Sequence, residues 1–212
     1  MAEADRRRVL VEAAESVFLT LGYNAAGTSD IARRAGMSKK TLYRLFGSKE
    51  DLFSAVIAAR CESSGTQEIA SSSCESLADI ETALKKYLGR LTRFILAPRQ
   101  IALYRLVIAE ARRSPELSRA FYREGPTKAR AALAEWLKSQ IARGLLRIAH
   151  PESAATMLIS MALSELHMRL LLGDSAPDTG AIDRRVDSAV ALFLYGAVPA
   201  VSRHKKAGQE RG

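Results

Sequence analysis

Apolar residues recur at three- and four-residue spacings along nearly the whole chain, and no long stretch alternates as a half-buried strand does. In the first such segment Val9, Leu10, Ala13, Ala14, Val17, Phe18 and Leu21 share one side, which predicts a helix over 5–21 that Gly22 ends. Pro98, Pro115, Gly125-Pro126, Gly144, Pro151, Gly173, Pro177 and Pro199 punctuate the later sequence, and helix-length blocks lie between them at roughly 77–97, 99–113, 126–143, 151–172 and 181–198. A polar, serine-rich stretch over 62–76 separates a compact N-terminal unit from a larger remainder. The expected fold is therefore all-α. Its N-terminal unit covers 1–57, a linking fourth helix runs over about 48–70, a helical bundle fills 71–200, and a basic, disordered tail occupies 201–212.

Composition narrows the class without choosing a function. The 212 residues are 48% hydrophobic and 26% charged, the balance of a globular chain rather than a disordered or fibrous one. No apolar run reaches the ~18–20 residues that span a bilayer, and the charged start is unlike a signal peptide. The expected location is cytoplasmic, with no membrane partner. Two cysteines, Cys61 and Cys74, are too few for a disulfide scaffold and lack zinc-ligand spacing, so no metal and no cofactor are expected.

The net charge of +9 suggests a polyanionic partner. Its distribution is more telling than its size. Residues 1–56 hold nine basic and seven acidic side chains, net +2, which leaves +7 spread over the rest. Within that first segment, however, 31–49 carries Arg33, Arg34, Lys39, Lys40, Arg44 and Lys49 with no acidic residue.

That acid-free stretch has a definite scaffold. Thr28 is placed to cap a short helix with Asp30 in its first turn and Ile31, Ala32 and Ala35 on its apolar side. Gly36 supplies a φ > 0 corner, and Ser38 then caps a second short helix. In this helix Lys39, Lys40, Tyr43 and Arg44 share one face while Leu42, Leu45 and Phe46 take the other. A cationic face with small hydroxyls at its start and an apolar back suits a recognition helix of a helix-turn-helix in the major groove of double-stranded DNA. Ser48 with Asp51 resembles a capping box that opens a fourth helix.

The segments AAESVFLTLGY at 13–23, TLYRLF at 41–46 and KEDLF at 49–53, with the turn at Gly36, resemble the DNA-binding domain of the TetR family of bacterial transcriptional regulators over about 8–57. The block at 105–122 is similar to C-terminal domains of AcrR-like members. The resemblance implies that Thr28, Ser38, Lys39, Thr41, Tyr43 and Lys49 touch the operator backbone and that Lys40 and Thr41 meet base edges. Arg44 and Leu45 depart from residues common at their positions, which bears on the operator sequence. Lys49 also has a physical reason to bind phosphate, because it opens a helix whose free N–H groups address the same anion.

The resemblance further implies a homodimer and a small-molecule effector. It places the dimer interface on the last two long helices, where Met157, Leu158, Val186, Val190, Phe193 and Leu194 form stripes suited to a four-helix bundle, although the same stripes serve as intramolecular core. Candidate walls of an effector pocket are Tyr104, Ile108, Phe121, Tyr122, Leu133, Trp136, Leu137, Met161 and Met168, with Arg105, Glu110, Ser164 and His167 as polar groups. A hydrophobic or aromatic ligand would suit such a lining. The resulting expectation is a ligand-released repressor on a palindromic operator. The alternatives are a non-repressing activator, a membrane-surface protein and a helical enzyme. The last has no Walker loop, H-E-x-x-H or G-x-S-x-G, its three histidines are far apart, and no catalytic residue is assigned.

Overall fold

A computed structural model describes residues 2–62 and 68–195, and no strand occurs among them. The helices are α1 (Glu3–Leu21), α2 (Thr28–Arg34), α3 (Lys39–Phe46), α4 (Lys49–Glu62), α5 (Leu77–Leu96), α6 (Pro98–Glu110), α7 (Pro115–Tyr122), α8 (Lys128–Ala142), α9 (Pro151–Leu171) and α10 (Thr179–Tyr195). A 3₁₀ turn at Glu68–Ser71 precedes α5, and a π-helical turn at Arg123–Thr127 joins α7 to α8. The tail at 201–212 lies outside the described residues, as do 196–198 of the last predicted block.

Several boundaries differ from expectation for local reasons. The fourth helix is described as far as Glu62, 63–67 of its expected extent lie outside the described residues, and 68–70 belong to the 3₁₀ turn. Proline at the first helical position costs no hydrogen bond, so Pro98, Pro115 and Pro151 each open a helix. Pro115 is therefore the start of α7, an element absent from the expected blocks. At Gly125-Pro126 the chain does not break, because the π-helical turn carries it onward into α8.

Two cores organise the helices. The first gathers the buried faces of α1 to α4 around Phe18, Tyr23 and Phe53, whose ring centroids lie 5.4–5.7 Å apart. It does not close within the N-terminal unit, since Leu103 and Val107 of α6 and Leu117, Ala120 and Phe121 of α7 belong to it. The second is built by α5, α8, α9 and α10, with Leu84, Leu88, Leu133, Leu137, Leu158 and Val190 fully buried. Consequently Leu158, Val186 and Val190, expected at a dimer interface, are instead interior side chains of the protomer. Met157 is exposed, and Phe193 and Leu194 are half-buried.

Candidate DNA interface and ligand cavity

The α2–α3 corner is fixed by backbone chemistry. Gly36 has φ 65°, its N–H donates to Arg33 O at 3.1 Å, and the Met37 N–H donates to Ala32 O at 2.9 Å. This pair of bonds is a Schellman closure, which turns the chain sharply without leaving the last carbonyls of α2 unpaired. Ser38 Oγ then accepts the Thr41 N–H at 3.1 Å and starts α3. Thr28 does not act as a cap: Gly27 holds that position, and Thr28 is the first residue of α2, with its hydroxyl 3.3 Å from Tyr43 Oη. Ser48 completes half of the expected capping box. Its Oγ accepts the Asp51 N–H at 3.0 Å, but its own N–H goes to Phe46 O.

Helix α3 turns Leu42, Leu45 and Phe46 into the first core and leaves Lys39, Lys40, Tyr43 and Arg44 on the outside. Folding redistributes the charge seen in the sequence. Arg33 is paired with Asp30 at 2.5 Å, and Arg44 lies 3.8 Å from Glu3, a carboxylate brought in by α1. Among the described residues Arg34, Lys39 and Lys40 have no carboxylate partner. The Lys39 ammonium stands 5.8 Å from the Tyr43 ring centroid, so both reach outward together.

Lys49 sits at the start of α4 but leans over Tyr23, 4.5 Å from the ring centroid, and donates to Asn24 O at 3.4 Å. Partial burial lowers its pKa, against the opposing pull of Glu110. Asn24 is a junction that the sequence did not reveal. Its backbone N–H and side-chain amide both donate to Glu110 at the end of α6, and Ser114 Oγ donates to its side-chain oxygen at 3.1 Å. Glu110 thus faces the α1–α2 turn and not a pocket.

A cavity of about 430 Å³ lies at the seam between the two cores. It is bounded by the end of α4 at Cys61, by α5 through Leu91, Phe94 and Ile95, by α6, α7 and the π-helical turn, and by Ile159 and Leu163 of α9. Tyr104, Ile108, Phe121, Tyr122, Ser164 and His167 meet there, whereas other expected wall residues do not. Trp136 is packed in the second core, Met168 is exposed, and Met161 lines a groove between α9 and α10. Arg105 turns away to bond Leu170 O at 2.6 Å and Leu171 O at 3.3 Å, closing the carbonyl end of α9. Gln100, Ser118, Lys128 and Arg130 also line the cavity. Spacing alone does not single them out, because their helix faces cannot be assigned until α6, α7 and α8 are placed.

Within the cavity Tyr104 meets Phe121 and His167 edge-on, with centroids 4.7 and 4.4 Å away. Burial raises the Tyr104 phenol to about 12 and lowers the pKa of His167, so at neutral pH both are uncharged. Lys128 is held by Glu124 at 2.6 Å, and Arg130 donates to Tyr122 Oη at 2.6 Å. The described residues hold no cluster of His, Cys, Asp or Glu that suits a metal ion, and none of their helices is long and apolar enough to cross a membrane.

Comparison with known proteins agrees with this geometry. Residues 10–56 match the model of bacterial regulatory proteins of the tetR family, and residues 82–196 match that of the AefR-like transcriptional repressor C-terminal domain. A TetR-family regulator from Mesorhizobium loti has 28% identity and a TM-score of 0.79, over 92% of this chain and 97% of that one. The flavonoid-responsive regulator FrrA has 30% identity and a TM-score of 0.72, over 90% and 96%. The transcriptional activator FasR of Mycolicibacterium smegmatis is 51% identical over 53 residues, 25% of this chain and 24% of its own length. An outward cationic α3 on a Schellman corner, an apolar cavity at the far end of α4 and a family model spanning more than half the sequence lead to one assignment: the chain belongs to the TetR family of transcriptional regulators.

Proposed function

We propose that the protein is a cytoplasmic, homodimeric repressor that reads a palindromic operator in the major groove and is released by a small apolar or aromatic effector. One observation carries this reading: α4 begins at Lys49 beside α3 and places Cys61 of its last turn in the cavity wall, so one helix of 14 residues touches both sites. At 1.5 Å per residue it spans about 21 Å. A ligand that displaces its far end re-aims α3, and two such helices then miss half-sites held ~34 Å apart.

Thr28, Ser38, Thr41 and Tyr43 position the helix on phosphates together with Lys39 and Lys49, and Lys40, Thr41 and Arg44 reach the bases. The proposed two-fold contact uses the outer faces of α9 and α10, where Met157, Leu192 and Tyr195 are exposed. Repression is favoured over activation because the repressor model covers the bundle, whereas the likeness to the activator extends over only 53 residues. The apolar lining, and the responsiveness named for FrrA, favour an aromatic effector.

Gel-shift on DNA upstream of the protein's own gene tests the assignment. Wild type is expected to retard it as a dimer, with the mass checked by light scattering, and Lys39→Ala with Tyr43→Ala to abolish the band. A reporter on that DNA should rise when the gene is deleted; a fall would make the protein an activator.

A further inference from the structure

Three residues that line the cavity each carry a buried polar atom with no hydrogen-bond partner. These atoms are Gln100 Oε1 on α6, Ser118 Oγ on α7 and His167 Nε2 on α9. Gln100 is the most informative, since only 3% of the residue is exposed and its carboxamide makes no bond to any described residue. Buried polar groups are almost always paired, and one left alone costs free energy in the empty protein. Three of them, from three helices, belong to residues in the wall of one apolar space.

Building on the ligand-responsive reading above, we propose that this cavity receives a hydroxylated aromatic molecule, and that Gln100 is the residue that selects it. The carboxamide oxygen can only accept, so the ligand must bring a donor into an otherwise apolar wall. Neutral His167 and the Ser118 hydroxyl accept or donate as the ligand requires. A phenol with hydroxyls on separated ring positions answers these atoms, and its flat rings lie against the Tyr104, Phe121 and His167 edges. An alkyl carboxylate answers them poorly. Its polar atoms sit at one end, its ionised head offers no donor, and His167 is uncharged. The nearby cations are already engaged, Lys128 by Glu124 and Arg130 by Tyr122. The volume of about 430 Å³ falls within the ~300–1,000 Å³ of small-molecule pockets and takes a three-ring compound.

The test uses three probes on the full-length dimer: naringenin, which carries three ring hydroxyls; flavanone, the same skeleton without them; and laurate. Calorimetric titration of wild type is expected to show naringenin binding about tenfold or more tighter than flavanone, with laurate weakest. In Gln100→Leu, naringenin should weaken by about tenfold while flavanone is unchanged. That variant should also melt higher than wild type without ligand, because it removes an unpaired buried amide; a purely structural glutamine would make it melt lower. No binding of naringenin, tighter binding of laurate, or equal losses for naringenin and flavanone in Gln100→Leu would each overturn the proposal. Gel-shifts on the same samples separate the two readings. Naringenin that binds with the stated pattern but leaves the operator complex intact removes the effector role and keeps the ligand class. Laurate that releases DNA when naringenin does not keeps the effector role and removes the class.

Discussion

Replacing Lys39 and Lys40 together by alanine separates the charge that grips DNA from the charge that merely decorates the chain. Arg33 and Arg44 are partly neutralised by Asp30 and Glu3, so these two lysines carry the free positive charge of α3. Both are exposed and neither supports the core, so the fold should survive. If each neutralises one phosphate charge, Lys40 from beside the base edge it reaches, the proposed dimer gives up four in the variant. Each neutralised phosphate contributes about −0.9 to the slope of log K against log salt, so the slope should flatten by about 3.6. Over the fourfold rise from 50 to 200 mM salt, that makes wild type lose about 150-fold more affinity than the variant. Fluorescence anisotropy with labelled operator at several salt concentrations measures both slopes. The control is Arg143→Ala with Arg147→Ala, two exposed positions in the chain that follows α8. Parallel slopes for wild type and the lysine variant, or equal flattening in the control, would refute the placement of the interface on α3.

Three further outcomes follow from the geometry. Ser38→Ala removes the side-chain cap of α3 and should cost about 1 kcal/mol in denaturant unfolding, with a matching loss of operator affinity. Glu110→Ala cuts the tie between α6 and Asn24, so effector should still bind while its effect on operator affinity shrinks from the roughly 5–150-fold of ordinary coupling toward unity; retained coupling would exclude that tie from the signal path. Burial depresses the pKa of His167 below its usual 6.5, so the unfolded chain takes up the proton more readily than the folded one. Its contribution is intact above pH 6.5 and is lost as the pH falls below it, and thermal melts from pH 7.5 to 5 should show a shallower decline in His167→Phe.

The recognition helix was legible because its information is local. Ser38, Gly36 and the alternation of Leu42, Leu45 and Phe46 with Lys39, Tyr43 and Arg44 lie within one short run, and each residue's role depends on neighbours three or four positions away. Elsewhere, periodicity identified helices but not their partners. The stripes of α9 and α10 are consistent with packing inside the protomer or across a two-fold axis, and only assembly shows that Leu158, Val186 and Val190 are used inside. Proline has two meanings, and at Pro115 the helix-starting one applies. Contacts such as Glu3 with Arg44 and Asn24 with Glu110 join residues 41 and 86 positions apart, a distance over which no spacing rule operates.

The first core, which borrows Leu103, Val107, Leu117, Ala120 and Phe121 from the bundle, makes the DNA-reading head a discontinuous module. A gene cut near residue 62 would separate Phe18 and Phe53 from part of the apolar wall around them. Transplanting this head onto another regulator therefore requires α6 and α7 to travel with α1 to α4, or the recipient to supply residues of matching shape. The DNA-reading helices and the wall of the cavity share this seam, and chimeras that respect the seam are the ones expected to fold.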